Sequence, residues 1–393
     1  MKKIIGIVSE YNPFHQGHKY HIEQSRNQSG DAVIICVMSG DFVQRGEWAI
    51  LPKQERAVAA VKGGADLVIE LPLPWCLSSA EQFAEGAVSI LLRMGITVLS
   101  FGSEYGNIEA MRDISEIISG SSFHTKVKEY MHRNPETTYP EARAQMVREL
   151  GYDSLILDGP NNSLGVEYLK ALKKENYVNC FGQSVLPITV KRYGSGHDKI
   201  LSEHTIFPSA MEVRKQMLQK GEGIDSKAME LAAVSRLRMI SLDEILSLTD
   251  SANGAGQRLF RGIRTGGMTI DEVCTAAKTR SLTYSRLRRL AMKAVLGVTE
   301  DLMEGRPPYA RVLAMNEHGR DYLSEIKKSD VGEMIPILTQ PKQVAKISEY
   351  AEKVFAAGAY ARDLYNMGFA EKKYEPCGED YRMGPFFQQN CES

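Results

Sequence analysis

The sequence predicts an α/β fold: a parallel sheet covered by helices, followed by a mainly helical C-terminal domain. Three observations predict it. Short, continuous apolar runs rich in β-branched residues recur through the first half, as strands buried on both faces require. Helix-period segments stand between them, and strand–helix alternation builds parallel sheets. From about residue 210, strand signals become scarce and helical patterns follow one another.

The apolar runs are 4–8, 32–37, 66–71, 96–101 and 185–190. Helical patterns cover 18–28, 53–62 and 80–94; the second is closed by Gly63-Gly64 and the third by Gly95. Further on, 209–220, 225–239, 241–249, 256–265 and 269–297 read as helical, and a strand signal returns near 309–315. The expected division is therefore 1–220, a helical region 221–370, and a loosely packed polar tail 371–393. Ligands bind outside the carboxyl ends of parallel strands, so the loops after the first and fourth strands are expected to carry the site.

Composition excludes several classes. The chain has 393 residues, 43% hydrophobic and 25% charged, as in ordinary globular proteins. The net charge of −1 gives no global bias toward nucleic acid, although a local basic face remains open. None of the six cysteines forms a C-x-x-C pair, so no zinc site of that spacing is expected, and reduced thiols in a cytoplasmic protein are. The apolar stretch after Met1-Lys2-Lys3 runs only from Ile4 to Ser9, shorter than a signal core. No run of about 18 apolar residues predicts a membrane span. The chain lacks a G-x-x-x-x-G-K-[ST] loop, a G-x-G-x-x-G after its first strand and a G-x-S-x-G elbow, which disfavours P-loop ATPases, dinucleotide dehydrogenases and elbow hydrolases. No metal-ligand motif is present, and nothing in the sequence bears on oligomeric state.

Chemistry concentrates after the first strand, in Glu10-Tyr11-Asn12-Pro13-Phe14-His15-Gln16-Gly17-His18-Lys19-Tyr20-His21. Pro13 ends the extended segment. His15 and His18, three apart, share one face of a starting helix, and Gly17 leaves room for a ligand between them. A helix N-terminus behind a buried strand is a ready anion site, and two imidazoles beside it can hydrogen-bond a phosphate as charge develops on it. Two structural histidines at a helix start are the plain alternative. Composition alone gives an H-x-G-H string a chance of roughly 0.01 in this chain, which favours function.

That motif, placed after a first strand, resembles the nucleotidyltransferase superfamily of class I aminoacyl-tRNA synthetases (HIGH/HUP type). The whole string from Glu10 to His21 resembles a narrower family, the bacterial tRNA(Met) cytidine acetate ligases. Gly40-Asp41-Phe42-Val43-Gln44-Arg45-Gly46, Phe101-Gly102-Ser103-Glu104, residues 161–168 from Asn161-Asn162 to Tyr168, and Val190-Lys191-Arg192 are similar to segments of the same family. The likeness spans the first 215 residues and is weaker to about 330. Gln16 stands where many relatives have Asn.

The resemblance implies a Rossmann-like nucleotidyltransferase domain and an ATP-dependent ligase. The enzyme would form acetyl-adenylate from acetate and ATP, with magnesium carried on the nucleotide. It would then acetylate N4 of the wobble cytidine of elongator tRNA(Met). It further implies His15 and His18 as catalytic residues. ATP would contact Ile7, Val8, Ser9, Glu10, Tyr11, Asn12, Pro13, Phe14, His15, Gln16, Gly17, His18, Lys19 and Tyr20, together with Gly102, Asn162 (ahead of Asn161) and Arg192. Without the resemblance, Gly102 reads as a strand end, Asn162 as a helix cap and Arg192 as a solvated charge.

Phe207-Pro208-Ser209 through Arg214 loosely resembles the I-S-S-x-x-x-R segment of the superfamily. Ser209 and Arg214 are candidate phosphate contacts there, with an ordinary capped helix weighed equally. Lys53 and Arg56 read as a solvated helix face. Between 258 and 293 stand nine Lys or Arg against two acidic residues. Lys278, Arg280, Arg286, Arg288 and Arg289 in that stretch are the candidate tRNA contacts, with Tyr284 as a stacking residue and a solvated basic helix as the plain alternative. Two other readings remain at this point: an adenylyltransferase acting on a small phosphorylated metabolite, and a non-catalytic RNA-binding protein that senses ATP.

Overall fold

In the computed structural model, which describes residues 2–192, 210–280, 282–329, 334–369 and 377–389, each of the five apolar runs is a strand. In chain order the strands are β1 (Lys3–Ser9), β2 (Ala32–Ser39), β3 (Phe42–Val43), β4 (Glu47–Trp48), β5 (Leu67–Leu71), β6 (Val98–Ser103), β7 (Leu186–Lys191), β8 (Ala310–Asn316), β9 (Ile337–Leu338) and β10 (Phe386–Gln388). The helices are α1 (Gln16–Ser29), α2 (Lys53–Lys62), α3 (Leu73–Cys76), α4 (Ala80–Arg93), α5 (Ile108–Ile118), α6 (Ser121–Arg133), α7 (Tyr139–Glu149), α8 (Pro160–Lys174), α9 (Ala210–Gln219), α10 (Ser226–Met239), α11 (Leu242–Leu246), α12 (Ala255–Thr265), α13 (Ile270–Ala277), α14 (Tyr284–Leu296), α15 (Glu317–Ile326) and α16 (Glu349–Asn366).

The order β5-β2-β1-β6-β7 is parallel throughout. Every residue of β2 is buried, which explains its unbroken apolar run. The pairing puts the ends of β1 and β6 side by side, where the ligand loops were expected.

The C-terminal half departs from the expected helical region. β8 returns to the sheet antiparallel to β5, and β10 and β9 pair with β8 in parallel. The sheet is therefore mixed. β5 is as buried as β2, so it needs a strand on its outer edge, and the strand signal near 309–315 supplies it. The pattern at 269–297 is two helices, α13 and α14, with Thr283 capping the second through the Arg286 amide.

The expected loose tail is also corrected over 377–389. Glu379 and Asp380 are buried, and the Asp380 carboxylate accepts hydrogen bonds from Lys53 Nζ (2.5 Å) and Arg311 (2.8 Å). Lys53 and Arg56 are not solvated. Lys53 also donates to Glu70 at 2.7 Å, and the Arg56 guanidinium is held by the main-chain oxygens of Glu10, Ser39, Gly40 and Leu51. The network extends to Asp41, which accepts from Arg362 at 3.0 Å and from the Lys53 amide at 2.8 Å. Partners up to 327 residues away turn a surface-looking Lys and Arg into buried ones. No described helix is long and apolar enough to cross a membrane.

Candidate nucleotide site

His15 is the N-cap of α1. Its Nδ1 accepts from the Gly17 amide at 3.0 Å, while its own amide donates to His18 Nδ1 at 3.3 Å. This reciprocal cap uses two imidazoles where a Ser and a Glu usually serve. The two rings stack with centroids 3.8 Å apart. With both Nδ1 atoms accepting, the neutral tautomers carry their protons on Nε2. The His15 Nε2 is buried with no hydrogen-bond partner among the described residues. A buried orphan donor at a helix N-terminus is a place for an anion.

Charge around the pair supports the same reading. Burial, then the cations of Arg192 and Arg214, hold His15 down to about 4. Burial chiefly, with the neighbouring imidazoles and Arg192, keeps His18 well below the usual histidine range. Both rings are neutral donors near pH 7, and both guanidinium groups lie close enough to add positive potential. Arg214 also donates to the Asn12 carbonyl at 2.7 Å, which anchors α9 beside the first loop. Ser209 lies outside the described residues.

The other candidates divide into wall and floor. Ile7 is in the core, so only its main chain can face a ligand, while Val8 and Ser9 are half-buried at the strand end. Tyr11 is buried and packs edge-on against His18 and Phe14; its hydroxyl lies 3.2 Å from Cys36 Sγ. Asn12 holds the Ile50 amide at 2.8 Å, and Pro13 is buried beside it. Phe14 fills the space over Gly63, where an added Cβ would meet its ring at 2.2 Å. Gln16 and Lys19 are exposed, Lys19 pairing with Glu23, and Tyr20 is half-buried.

The fourth predicted strand brings the second group in. The Arg192 amide donates to the Ser103 carbonyl, and its side-chain stem crosses Gly102, where an added Cβ would lie 3.3 Å from Arg192 Cγ. A side chain at 102 would press on that stem and require it to shift by a few tenths of an ångström. Asn162 is not the helix cap that its position suggested. It lies buried in the first turn of α8; Nδ2 donates to the Leu155 and Asp158 carbonyls, and Oδ1 accepts from the Tyr105 amide. Glu104 bonds both the Asn162 amide (2.8 Å) and the Asn161 side chain (2.6 Å). Asn162 thus fixes the loop after β6 rather than presenting a free amide.

Sequence reasoning missed two residues here. His21 Nε2 lies 3.0 Å from the Ser100 hydroxyl and ties α1 to β6; its spacing of three from His18 was the available signal. Glu104 was quoted only as part of a similar segment.

The candidate RNA residues are less uniform than their charge. Lys278 and Arg280 are exposed, Arg280 pairing with Glu136 at 2.8 Å. Arg286 donates to the Asp250 and Ala252 carbonyls, and Arg288 donates to the Gly46 carbonyl and pairs with Asp271. Arg289 is half-buried, with Nε unpartnered among the described residues. Lys293 is buried against Thr249 and Asp250. Tyr284 bonds Asp271. The cations exposed in the stretch are Arg258, Arg261, Arg264, Lys278 and Arg280.

Comparison with known proteins gives the family. A model of the HIGH Nucleotidyl Transferase family matches residues 1–241 and 224–380. The tRNA(Met) cytidine acetate ligase of Anoxybacillus flavithermus is 32% identical, over 92% of this chain and 95% of that one. That of Acetivibrio thermocellus is 32% identical, over 96% and 98%. The crystal structure of Thermotoga maritima TmcAL bound with alpha-thio ATP superposes with a TM-score of 0.81 at 27% identity, over 98% of this chain and all of that one. The likeness therefore runs well past residue 330, where the sequence reading let it fade. The chain belongs to the HIGH nucleotidyl transferase family and, within it, to the tRNA(Met) cytidine acetate ligases.

Proposed function

We propose that this chain activates acetate with ATP and acetylates N4 of the wobble cytidine of elongator tRNA(Met). The observation that carries this reading is the stacked pair of neutral imidazoles at the start of α1, flanked by Arg192 and Arg214. The relatives' names supply the acceptor, and the ATP analogue in the Thermotoga structure supports the nucleotide.

Acetate is a poor acyl donor because oxide is a bad leaving group. In the first step an acetate oxygen attacks the α-phosphorus, and pyrophosphate departs with the electron pair. The Nε2 protons of His15 and His18 bond the phosphate oxygens as charge grows on them, and Arg192 and Arg214 add potential without proton transfer. Each preorganised donor of this kind contributes about 3 kcal/mol. Among the described residues no group of three or more His, Cys, Asp or Glu is arranged to hold a metal ion. Magnesium in this reading arrives on the phosphates of ATP. In the second step the acetyl group passes to the RNA amine and AMP leaves. Exposed Lys278 and Arg280, with the α14 cations, are the proposed RNA contacts, in a cytoplasmic enzyme. The test is acetate-dependent pyrophosphate release from ATP, with base analysis of the tRNA for N4-acetylcytidine.

A further inference from the structure

The strand order divides the site into two flanks. On one side of β1 lie β6 and β7, with Gly102, Arg192 and the α8 start: the nucleotide flank. On the other side lie β2 and β5, with α2 and the loop 40–46.

Glu10 follows β1 directly and turns to this second flank. Its Oε1 accepts from the Gln44 amide at 2.9 Å, within the loop 40–46. The far end of that loop touches α14. An added Cβ at Gly46 would lie 2.8 Å from the main chain of Arg288 and Arg289, and the Arg288 guanidinium donates to the Gly46 carbonyl at 3.2 Å. Through this loop the flank of Glu10 meets α14, which carries Arg286, Arg288 and Arg289.

The carboxylate is also untied. Arg56 is beside it, yet that guanidinium is taken up by four main-chain carbonyls, Glu10's own among them. No ion pair to Glu10 forms among the described residues. Its second oxygen receives no hydrogen bond there either. It is a half-buried carboxylate with a free oxygen, placed directly after β1 and five residues before His15.

We propose that Glu10 is the general base of acetyl transfer, accepting the proton of the attacking exocyclic amine. The proposal rests on the function given above. The amine nitrogen forms a bond to the carbonyl carbon of acetyl-adenylate. The bond from that carbon to the phosphate oxygen breaks, and AMP leaves with the electron pair. The amine proton passes to Glu10 and then to solvent. An aminopyrimidine needs this help because its lone pair is delocalised into the ring. Groups around the carboxylate are Arg45 and Glu47 beyond Gln44, Arg56 of α2, Cys76 of α3 and Tyr168 of α8. Burial outweighs the Gln44 hydrogen bond and the two arginines, and raises the carboxyl above its ordinary range, nearer to what a base at neutral pH requires.

The test supplies synthetic acetyl-adenylate and elongator tRNA(Met) to the full chain and follows acetyl transfer against pH, beside acetate-dependent pyrophosphate release. Glu10→Gln, assayed at saturating acetyl-adenylate, should lower transfer about 100-fold or more and remove its acid limb. Glu10→Asp should restore part of the transfer and shift its acid limb. A loss of transfer in Glu10→Gln that keeps the wild-type acid limb would overturn the assignment and leave Glu10 as a support of the loop 40–46. So would wild-type transfer by Glu10→Gln with native circular dichroism, or a wild-type transfer profile without an acid limb. No transfer from acetyl-adenylate by the wild-type chain would overturn the function on which the proposal rests.

Discussion

His15 acts through two ring nitrogens in two different ways. Nδ1 caps α1, and Nε2 is left as a buried donor. The two contributions are separable by substitution. His15→Ala removes both, so it should cost about 1 kcal/mol of stability along with activity. His15→Asn keeps an acceptor for the Gly17 amide and loses the far nitrogen. We expect its urea midpoint to stay near wild type while pyrophosphate release falls about 100-fold. An active His15→Asn protein would show that the histidine serves only as a cap. The motif was legible because its spacing is local: His15, Gly17 and His18 fall within one helical turn. Lys53 and Arg56 were not legible for the opposite reason. The Lys53 partners Glu70 and Asp380 come from another strand and from the far end of the chain, and Arg56 is held by the main-chain carbonyls of Glu10, Ser39, Gly40 and Leu51.

At the scale of elements, the parallel strands were readable because each is apolar on both faces. The ends of helices were readable from glycines: α2 stops at Lys62, before Gly63. What local pattern does not encode is pairing. β8 announces itself as apolar, but nothing in its residues states that it runs antiparallel to β5. Likewise the basic stretch announces charge but not which cations face water. α13 and α14 consume several of them in packing, so a charge reversal at Arg286 or Arg288 would disturb structure as well as binding. Lys278 and Arg280 avoid that ambiguity. Lys278→Glu with Arg280→Glu should weaken tRNA binding and make log Kd against log salt shallower by about one to two units of slope, while pyrophosphate release without tRNA persists. An unchanged slope would remove these residues from the RNA face.

Across the whole molecule, the C-terminal segment closes the structure around its N-terminal loops. Asp380 and Glu70 together neutralise Lys53 and Arg311 in a buried place, and the same network reaches Asp41 at the start of the loop 40–46. Both cations hold the Asp380 carboxyl below its ordinary range against the opposing effect of burial. Removing one partner of such a group leaves unpaired buried charge. Asp380→Ala should therefore destabilise the protein by about 3–5 kcal/mol in urea unfolding. A loss under about 1 kcal/mol would show that 377–389 is dispensable to the fold.

The proposed ligase activity requires that acetate be the group activated at the paired histidines. The most direct measurement is acetate-dependent release of pyrophosphate from ATP, with and without elongator tRNA(Met), for the wild-type chain and His18→Ala. The expected result is turnover that requires acetate, rises with that tRNA and is lost in the variant, with N4-acetylcytidine in the recovered RNA. Pyrophosphate release indifferent to acetate, or equal in wild type and variant, would contradict it.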